Sequence, residues 1–568
     1  MSDTHQQSSH PPQGSPRRRV LIVGGVAGGA SCATRLRRLD EAAEIVLFDR
    51  GPYVSFANCG LPYHVGNVIA DEEKLLVASP ETFRQRFNVG VHTESEVTVI
   101  DRATRLITVR DLRTGAERQE PYDVLVLAPG AAPIRPPLPG IELPGVFAVR
   151  SIPDTRRIRA WIETHQAKTA VVVGGGFIGL EMVENLVHRE LSVTVVEKLP
   201  QLMPPLDPEM AVPVTEHLQA RGVELRLGDG LARIEAAGGA RLRVISESGT
   251  QSPADLVILA IGVRPETALA QNAGLQIGAR GGIVVDEQMR TADPHIWAVG
   301  DAVEVRDVLT GQETMLPLAG PANRQGRIAA ECIAGRPTRF RGVQATAVVG
   351  VLGMTIASTG ASEKGLRRAG MTAFQKVYLH PGHHAGYYPG ARPIHLKLLF
   401  SVPEGRILGA QGAGTEGVEK RIDVIATAIQ FGGTVHDLAE AELCYAPQFG
   451  AAKDPVNLAG MIAQNALSGD MPLAEWEQLG RTDALLLDVR EPDEFAAGHI
   501  PHAINLPLSQ LRQRYTELPR QREIWISCGV GQRAYYATRF LAQHGYQPRN
   551  LSGGYTTYRA LKLADLVP

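Results

Sequence analysis

The apolar positions of this chain fall into short runs that end in glycine. Val20-Leu21-Ile22-Val23 is such a run, and it breaks at Gly24-Gly25-Val26-Ala27-Gly28-Gly29. A four-residue apolar run bounded by turn residues predicts a buried strand, and the segment after the glycines predicts a helix over about 30–39. A second apolar run, 44–48, ends in Asp49, 25 residues after Gly24. The same order recurs at 170–173, then Gly174-Gly175-Gly176-Phe177-Ile178-Gly179, a helix through about 189, and a run over 192–196 ending in Glu197, 23 residues after Gly174. A unit of this kind aims a helix N-terminus at a pyrophosphate and offers its acid to an adenosine ribose. Gly24, Gly25, Gly28, Gly29 and Asp49 are therefore candidate contacts to one dinucleotide, and Gly174, Gly176, Gly179 and Glu197 to another. The first turn departs from G-x-G-x-x-G, because Val26 stands at the middle glycine position; the second keeps all three.

One further run, 291–301, closes on Gly300-Asp301 and puts a carboxylate at a strand's C-terminal edge where a cofactor hydroxyl could bind, and two more apolar runs close on Gly130 and Gly262. Two dinucleotide units in one chain argue for a flavin plus a nicotinamide. Glu197 would accept from a ribose 2′-hydroxyl and repel a 2′-phosphate, favouring NADH over NADPH, with Lys198 moderating that preference.

Composition narrows the function classes. The 568 residues are too many for one core and predict several domains. Fifty-eight Lys+Arg against sixty Asp+Glu leave a net charge of −2, which weighs against a nucleic-acid or anionic-membrane binder. No apolar run is long enough to span a bilayer. Residues 1–19 are polar and predict a disordered tail. Arg17-Arg18-Arg19 before the first strand mimics an export signal, but the apolar run stops after four residues, so a cytoplasmic location is expected. The five cysteines (32, 59, 332, 444 and 528) are odd in number and contain no C-x-x-C pair. They predict free thiols in a reducing compartment rather than a disulfide framework or a zinc site.

One of these thiols stands out. Ser55-Phe56-Ala57-Asn58-Cys59-Gly60-Leu61-Pro62-Tyr63 follows soon after Asp49, with Val54 and His64 at the positions five away where a second sulfur would make an internal disulfide. Cys59 would thus need an external partner, and a place before a helix N-terminus would lower its pKa. With the two glycine turns and the Gly300-Asp301 step, the chain resembles the FAD-dependent pyridine nucleotide–disulfide oxidoreductases over roughly 20–460. The string around Cys59 is similar to that of the coenzyme A-disulfide reductases, where the cysteine forms a mixed disulfide with CoA. That resemblance implies FAD, NAD(P)H and coenzyme A as cofactors, contacts to CoA from Ser31, Arg35, Arg38, Ser55, Asn58, Asn323 and Lys453, and a helix start at Ala319 near the flavin. It also implies a homodimer in which Tyr387 and Tyr445 of a partner subunit donate the proton to a leaving thiolate. A solvated helix face is the plainer account of Arg35, Arg37 and Arg38. The histidines in His380-Pro381-Gly382-His383-His384 lack a ligand spacing, so no metal is expected.

At the C-terminal end, Leu487-Asp488-Val489-Arg490-Glu491, Gly498-His499-Ile500-Pro501 and the loop Cys528-Gly529-Val530-Gly531-Gln532-Arg533 resemble the single-domain rhodaneses. The small loop residues, the helix N-terminus and the Arg533 cation would favour a thiolate and its persulfide at Cys528. The resulting expectation is an α/β chain. Its FAD-binding domain covers 20–150 and 268–342, and its NAD-binding domain 151–267. An α+β dimerisation domain (343–460), a linker (461–473) and an α/β rhodanese domain (474–568) follow. The expected activity is NAD(P)H-dependent reduction of CoA disulfide, CoA persulfide or polysulfide, with Cys528 handing sulfur to Cys59. An NADH oxidase or peroxidase cycling Cys59 as a sulfenic acid, and a non-catalytic sulfur carrier, are the alternatives.

Overall fold

The computed structural model describes residues 17–568; the greater part of the expected disordered tail lies outside the described residues. Arg19–Val23 forms the centre of a five-stranded parallel sheet whose order is Ile296–Ala298, Val124–Leu127, Arg19–Val23, Glu44–Phe48, Val89–His92. Val20–Ile22 and Val124–Leu127 in its middle strands are apolar and buried, as strands covered on both faces require. The helix Ala27–Arg37 begins three residues earlier than the expected 30, directly at the glycine turn.

The architecture then repeats. Thr169–Val173 sits centrally in a second parallel sheet, ordered Glu224–Leu227, Ser192–Glu197, Thr169–Val173, Leu256–Leu259, Val146–Phe147. Each unit carries a three-stranded antiparallel sheet, and the chain crosses between them through the pair Ala131–Pro133 and Val263–Pro265. Because Val146–Phe147 pairs within the second sheet, that unit starts a few residues before the expected 151.

A five-stranded antiparallel sheet follows (Ala347–Val351, Met354–Gly360, Ile407–Gly414, Ile394–Ser401, Phe374–Leu379 in spatial order), backed by the helices Val418–Gln430 and Pro455–Leu467. Residues 461–467, expected in a linker, are the last turns of that helix, with Ala463 buried. The break falls at 468–472. A four-stranded parallel sheet, Ile504–Asn505, Leu485–Asp488, Glu523–Ser527, Gln547–Asn550, forms the last unit. It is docked rather than tethered: the Tyr378 N–H donates to Ser552 Oγ at 2.9 Å, and His380 Nε2 lies 2.9 Å from Thr557 Oγ1.

Candidate functional site

The two glycine turns match atom for atom. Gly24 N–H donates to Phe48 O and Gly174 N–H to Val196 O, both at 2.8 Å. Gly25 N–H donates to Asp49 at 2.8 Å, and Gly175 N–H to Glu197 at 2.7 Å. Both first glycines hold positive φ, +96° and +108°, and a Cβ there would lie 2.0 Å from Ala128 O or 2.4 Å from Ala260 O on the adjoining crossover. A Cβ on Gly29 or Gly179 would stand 1.9 or 2.0 Å from the oxygen of Gly24 or Gly174. These glycines are therefore required by the protein itself. Gly28 would meet Val299 at 2.9 Å, so it serves packing against the segment that closes on Gly300-Asp301.

Gly130, Gly176, Gly300 and, on the helix opened by Ala319, Gly320 are different: a Cβ on any of them would meet nothing within 4 Å. They border open space in which a dinucleotide backbone can approach, as does Gly262, whose nearest neighbour would be Ile134 at 3.6 Å. The residues thus fit an FAD in the first unit and a nicotinamide dinucleotide in the second. Asp49 and Glu197 each use carboxylate oxygens on their own turns, and each carboxylate keeps lone pairs for a ribose. Burial pushes Asp49 and Asp301 up from the usual carboxylate range, opposed by Arg150, which also lowers Glu266 through a bidentate pair at 2.7–3.2 Å. Arg150 was not singled out in the sequence, where it is one arginine in a loop.

Cys59 lies in the single turn Asn58–Gly60 that runs into the short helix Leu61–Val65. All five cysteines are free, and Cys59 is exposed. Ser55, at φ +49°, donates its N–H to Gly25 O at 2.7 Å and so ties the cysteine loop to the first glycine turn. Asn58 Oδ1 accepts the Cys59 N–H at 3.1 Å. The expected lowered thiol pKa is corrected: desolvation of the sulfur, then the carboxylates of Glu181 and Asp301, push it above its ordinary value of 9.0. The helix that follows has only five residues, too short for its dipole to outweigh two carboxylates. Glu181 is itself raised to about 7 by burial and lies 3.5 Å from Tyr63 Oη, whose phenol is pushed up to about 12. Glu181 and Tyr63 are functional candidates that the sequence reading passed over. The available signal was a glutamate placed two residues after Gly179 in an otherwise apolar helix start.

Among the expected CoA contacts, Ser31 and Asn323 are brought together, Ser31 Oγ donating to Asn323 Oδ1 across two helices packed so closely that a Cβ on Gly326 would meet Gly28 O at 2.2 Å. Arg35 is held by Glu331 at 2.5–3.0 Å, Arg38 is exposed, and Lys453 is exposed. The solvated-face account fails for Arg37, which is buried and donates to the carbonyls of Asp40, Glu41, Phe87 and Asn88. Tyr387 and Tyr445, 58 positions apart, are exposed and share a hydrogen bond at 2.9 Å, which raises the Tyr387 phenol. Neither bonds to the Cys59 turn of its own chain.

His380 faces His395 and Thr557, while His383 turns to Arg392, so the run of histidines does not converge. Asp207, Glu209 and Glu363 do converge, around the buried Lys397 ammonium at 2.5–3.0 Å, which occupies their centre.

Cys528 ends the strand Glu523–Ser527, is buried, and accepts the Gly531 N–H at 3.1 Å before the helix Gln532–Gln543. Arg533, expected to supply a cation to this loop, lies within electrostatic reach of Cys528 and is at the same time paired bidentately with Glu494 at 2.6 and 2.7 Å.

Known proteins resemble the chain along most of its length. The family model described as pyridine nucleotide-disulphide oxidoreductase matches residues 18–326, its dimerisation domain 346–454, and the rhodanese-like domain 474–561. The chain is 33% identical to a coenzyme A disulfide reductase of Staphylococcus haemolyticus over 79% of its own length and 100% of the relative's. It is 37% identical to an NADH oxidase of Methanocaldococcus jannaschii, covering 79% and 99%. Among solved structures, reduced CoADR-RHD of Bacillus anthracis is 47% identical with a TM-score of 0.94, covering 96% of this chain and 98% of that one. An NAD-dependent persulfide reductase from A. fulgidus is 38% identical with a TM-score of 0.88, covering 95% and 100%.

Proposed function

The chain belongs to the pyridine nucleotide-disulphide oxidoreductases and ends in a rhodanese-like domain, and from that premise we propose that it is an FAD-dependent NAD(P)H reductase of CoA disulfide and CoA persulfide working through a single cysteine. The observation that carries this reading is Cys59: a free, exposed thiol on the loop tied to the first glycine turn, with Val54 and His64 where a second sulfur would stand. Bound FAD supplies the electrons, taken from the nicotinamide, that reduce the sulfur.

The protein residues do the rest. Asp49 and Asp301 would hold hydroxyls of a bound FAD, and Gly24, Gly25, Gly28, Gly29, Gly130, Gly300 and Ala319 would shape its cradle. Gly174, Gly176, Gly179, Glu197 and Gly262 shape that of the nicotinamide. The Cys59 thiolate attacks the disulfide or persulfide sulfur of CoA and forms a mixed disulfide, releasing CoA or sulfide. Ser31, Asn323, Ser55, Asn58, Arg38 and Lys453 surround the CoA arm. Arg35 reaches it only by leaving Glu331. Tyr387 and Tyr445, which bond to each other and not to their own Cys59, act from the partner subunit of a homodimer and protonate the leaving thiolate. Exposed Phe431, Phe449 and Val348 on the same domain fit such an interface. Cys528 carries sulfane sulfur toward CoA.

The test is NADH consumption with CoA disulfide, CoA persulfide, peroxide and oxygen. The expected result is turnover with the two CoA substrates, loss of that turnover in Cys59→Ser with FAD retained, and a CoA adduct on Cys59 in the intact mass of the isolated protein. Faster turnover with peroxide or oxygen, and no adduct, assigns the oxidase alternative instead.

A further inference from the structure

The loop around Cys528 is neutralised from within its own domain. Two guanidiniums and three carboxylates surround it. Arg490 is buried, donates to Asp488 at 2.7–3.0 Å and to Gly498 O at 2.6 Å, and stacks 4.4 Å over the ring of Tyr555, whose N–H donates to Cys528 O. Arg533 spends both terminal nitrogens on Glu494. After Glu494, Cys528 itself and then Glu491 lie close enough to Arg533 to raise it further. Glu494 is not a loose surface partner. It is the N3 residue of a capping box, accepting the Glu491 N–H at 3.1 Å at the start of the helix Pro492–Ala496. Even if Arg533 swings toward an incoming anion, this carboxylate stays in place beside it. The rim of the loop is apolar or neutral: Val530 and Tyr536 are exposed, and Tyr536 accepts from Gln532.

We propose that Cys528 takes its sulfur from an organic persulfide, R–S–SH, and discriminates against thiosulfate, with Glu494 as the positioning residue that sets this preference by holding Arg533. The proposal rests on the reading of Cys528 as a sulfur carrier. In either reaction the Cys528 thiolate attacks the outer sulfur, an Sγ–S bond forms, and the donor's S–S bond breaks with its electron pair passing to the leaving group. An organic persulfide gives Cys528–S–SH and the thiolate R–S⁻. Thiosulfate gives the Cys528 persulfide anion and sulfite, so a doubly charged donor must enter and a doubly charged product must leave. The Gly531 N–H and the helix N-terminus can solvate one charge on the transferred sulfur. A second charge on the sulfonate needs a free cation, and both guanidiniums here are already paired with carboxylates.

The test uses full-length FAD-loaded protein carrying Cys59→Ser, exposed without NADH to cysteine persulfide or to thiosulfate. The readout is the rate at which the Cys528 peptide gains one sulfur atom by mass. Removing one fixed charge beside the site is worth about tenfold in rate. The expected result is that persulfide loads Cys528 about tenfold or more faster than thiosulfate, and that Glu494→Gln, which keeps the helix cap, speeds thiosulfate alone by a similar factor. Adding Arg533→Ala to Glu494→Gln should abolish that gain. Equal loading by both donors in the parent protein, or an unchanged ratio in Glu494→Gln with normal persulfide loading, overturns the donor preference while leaving the carrier reading intact. No loading of Cys528 by either donor overturns the carrier reading, and the donor preference falls with it.

Discussion

At the scale of single residues, the reductase site is governed by carboxylates rather than by cations. Cys59 faces Glu181 and Asp301, so its thiolate carries a like-charge penalty on top of desolvation. Glu181, held up to about 7, ionises only above that pH, which gives its influence a sign and a window. Above pH 7 its charge raises the thiol; below, the neutral acid has no such effect. Alkylation of Cys59 by iodoacetamide in the reduced holoenzyme should therefore climb past pH 9 in the parent protein. Glu181→Gln should shift that climb downward, with about a threefold faster reaction at pH 8. The difference between the two should vanish below pH 7. A pH profile that does not move in Glu181→Gln would show that the glutamate acts elsewhere, for example only on Tyr63.

At the scale of elements, the two glycine turns separate residues that the fold requires from residues that a ligand requires. Gly179→Ala places a methyl 2.0 Å from Gly174 O, so it should cost several kcal/mol of stability and lower the melting temperature. Gly176→Ala meets nothing in the protein, so the melting temperature should hold while KM for NADH rises about tenfold. Equal effects of the two on stability would mean that the open space beside Gly176 is not a cofactor site. These turns were legible in the sequence because the hydrogen bonds that close them are local or come from the neighbouring strand. The capping box at Glu491 shows the limit of that legibility. Its sequence spacing is visible, yet the same Glu494 also neutralises Arg533, 39 residues later, and only the packing of two elements reveals it. That the Arg533 cation carries a carboxylate partner is therefore not legible in the sequence of its own loop. The thiol pKa of Cys59 was misjudged in the same way, since Glu181 and Asp301 come from remote parts of the chain.

At the scale of the whole molecule, the joint between the dimerisation and rhodanese domains includes a pair of buried imidazoles beside the Tyr378–Ser552 hydrogen bonds and the Lys376–Glu477 ion pair. His380 sits with its Nδ1 2.9 Å from His395 Nδ1 and its Nε2 2.9 Å from Thr557, and burial lowers its pKa from 6.5 to about 3. His395 is lowered as well, for the same reason. In a separated or unfolded joint these rings would titrate near 6.5 and bind protons that the docked state refuses. Their contribution to docking is therefore fully present above pH 6.5 and is lost progressively as the pH falls from 6.5 toward 3. Limited proteolysis at the 468–472 link should accelerate across that interval, and the acceleration should shrink in His380→Gln, which retains a hydrogen-bonding side chain but cannot be protonated. An acid-independent cleavage rate would place the docking energy instead in contacts that do not titrate, such as the two hydrogen bonds between the Tyr378 backbone and the Ser552 hydroxyl. His380 belongs to the run His380-Pro381-Gly382-His383-His384, for which the spacing predicted no metal and gave no other role. Its role in the joint depends on a partner 177 residues away, and no spacing rule along the chain carries that information.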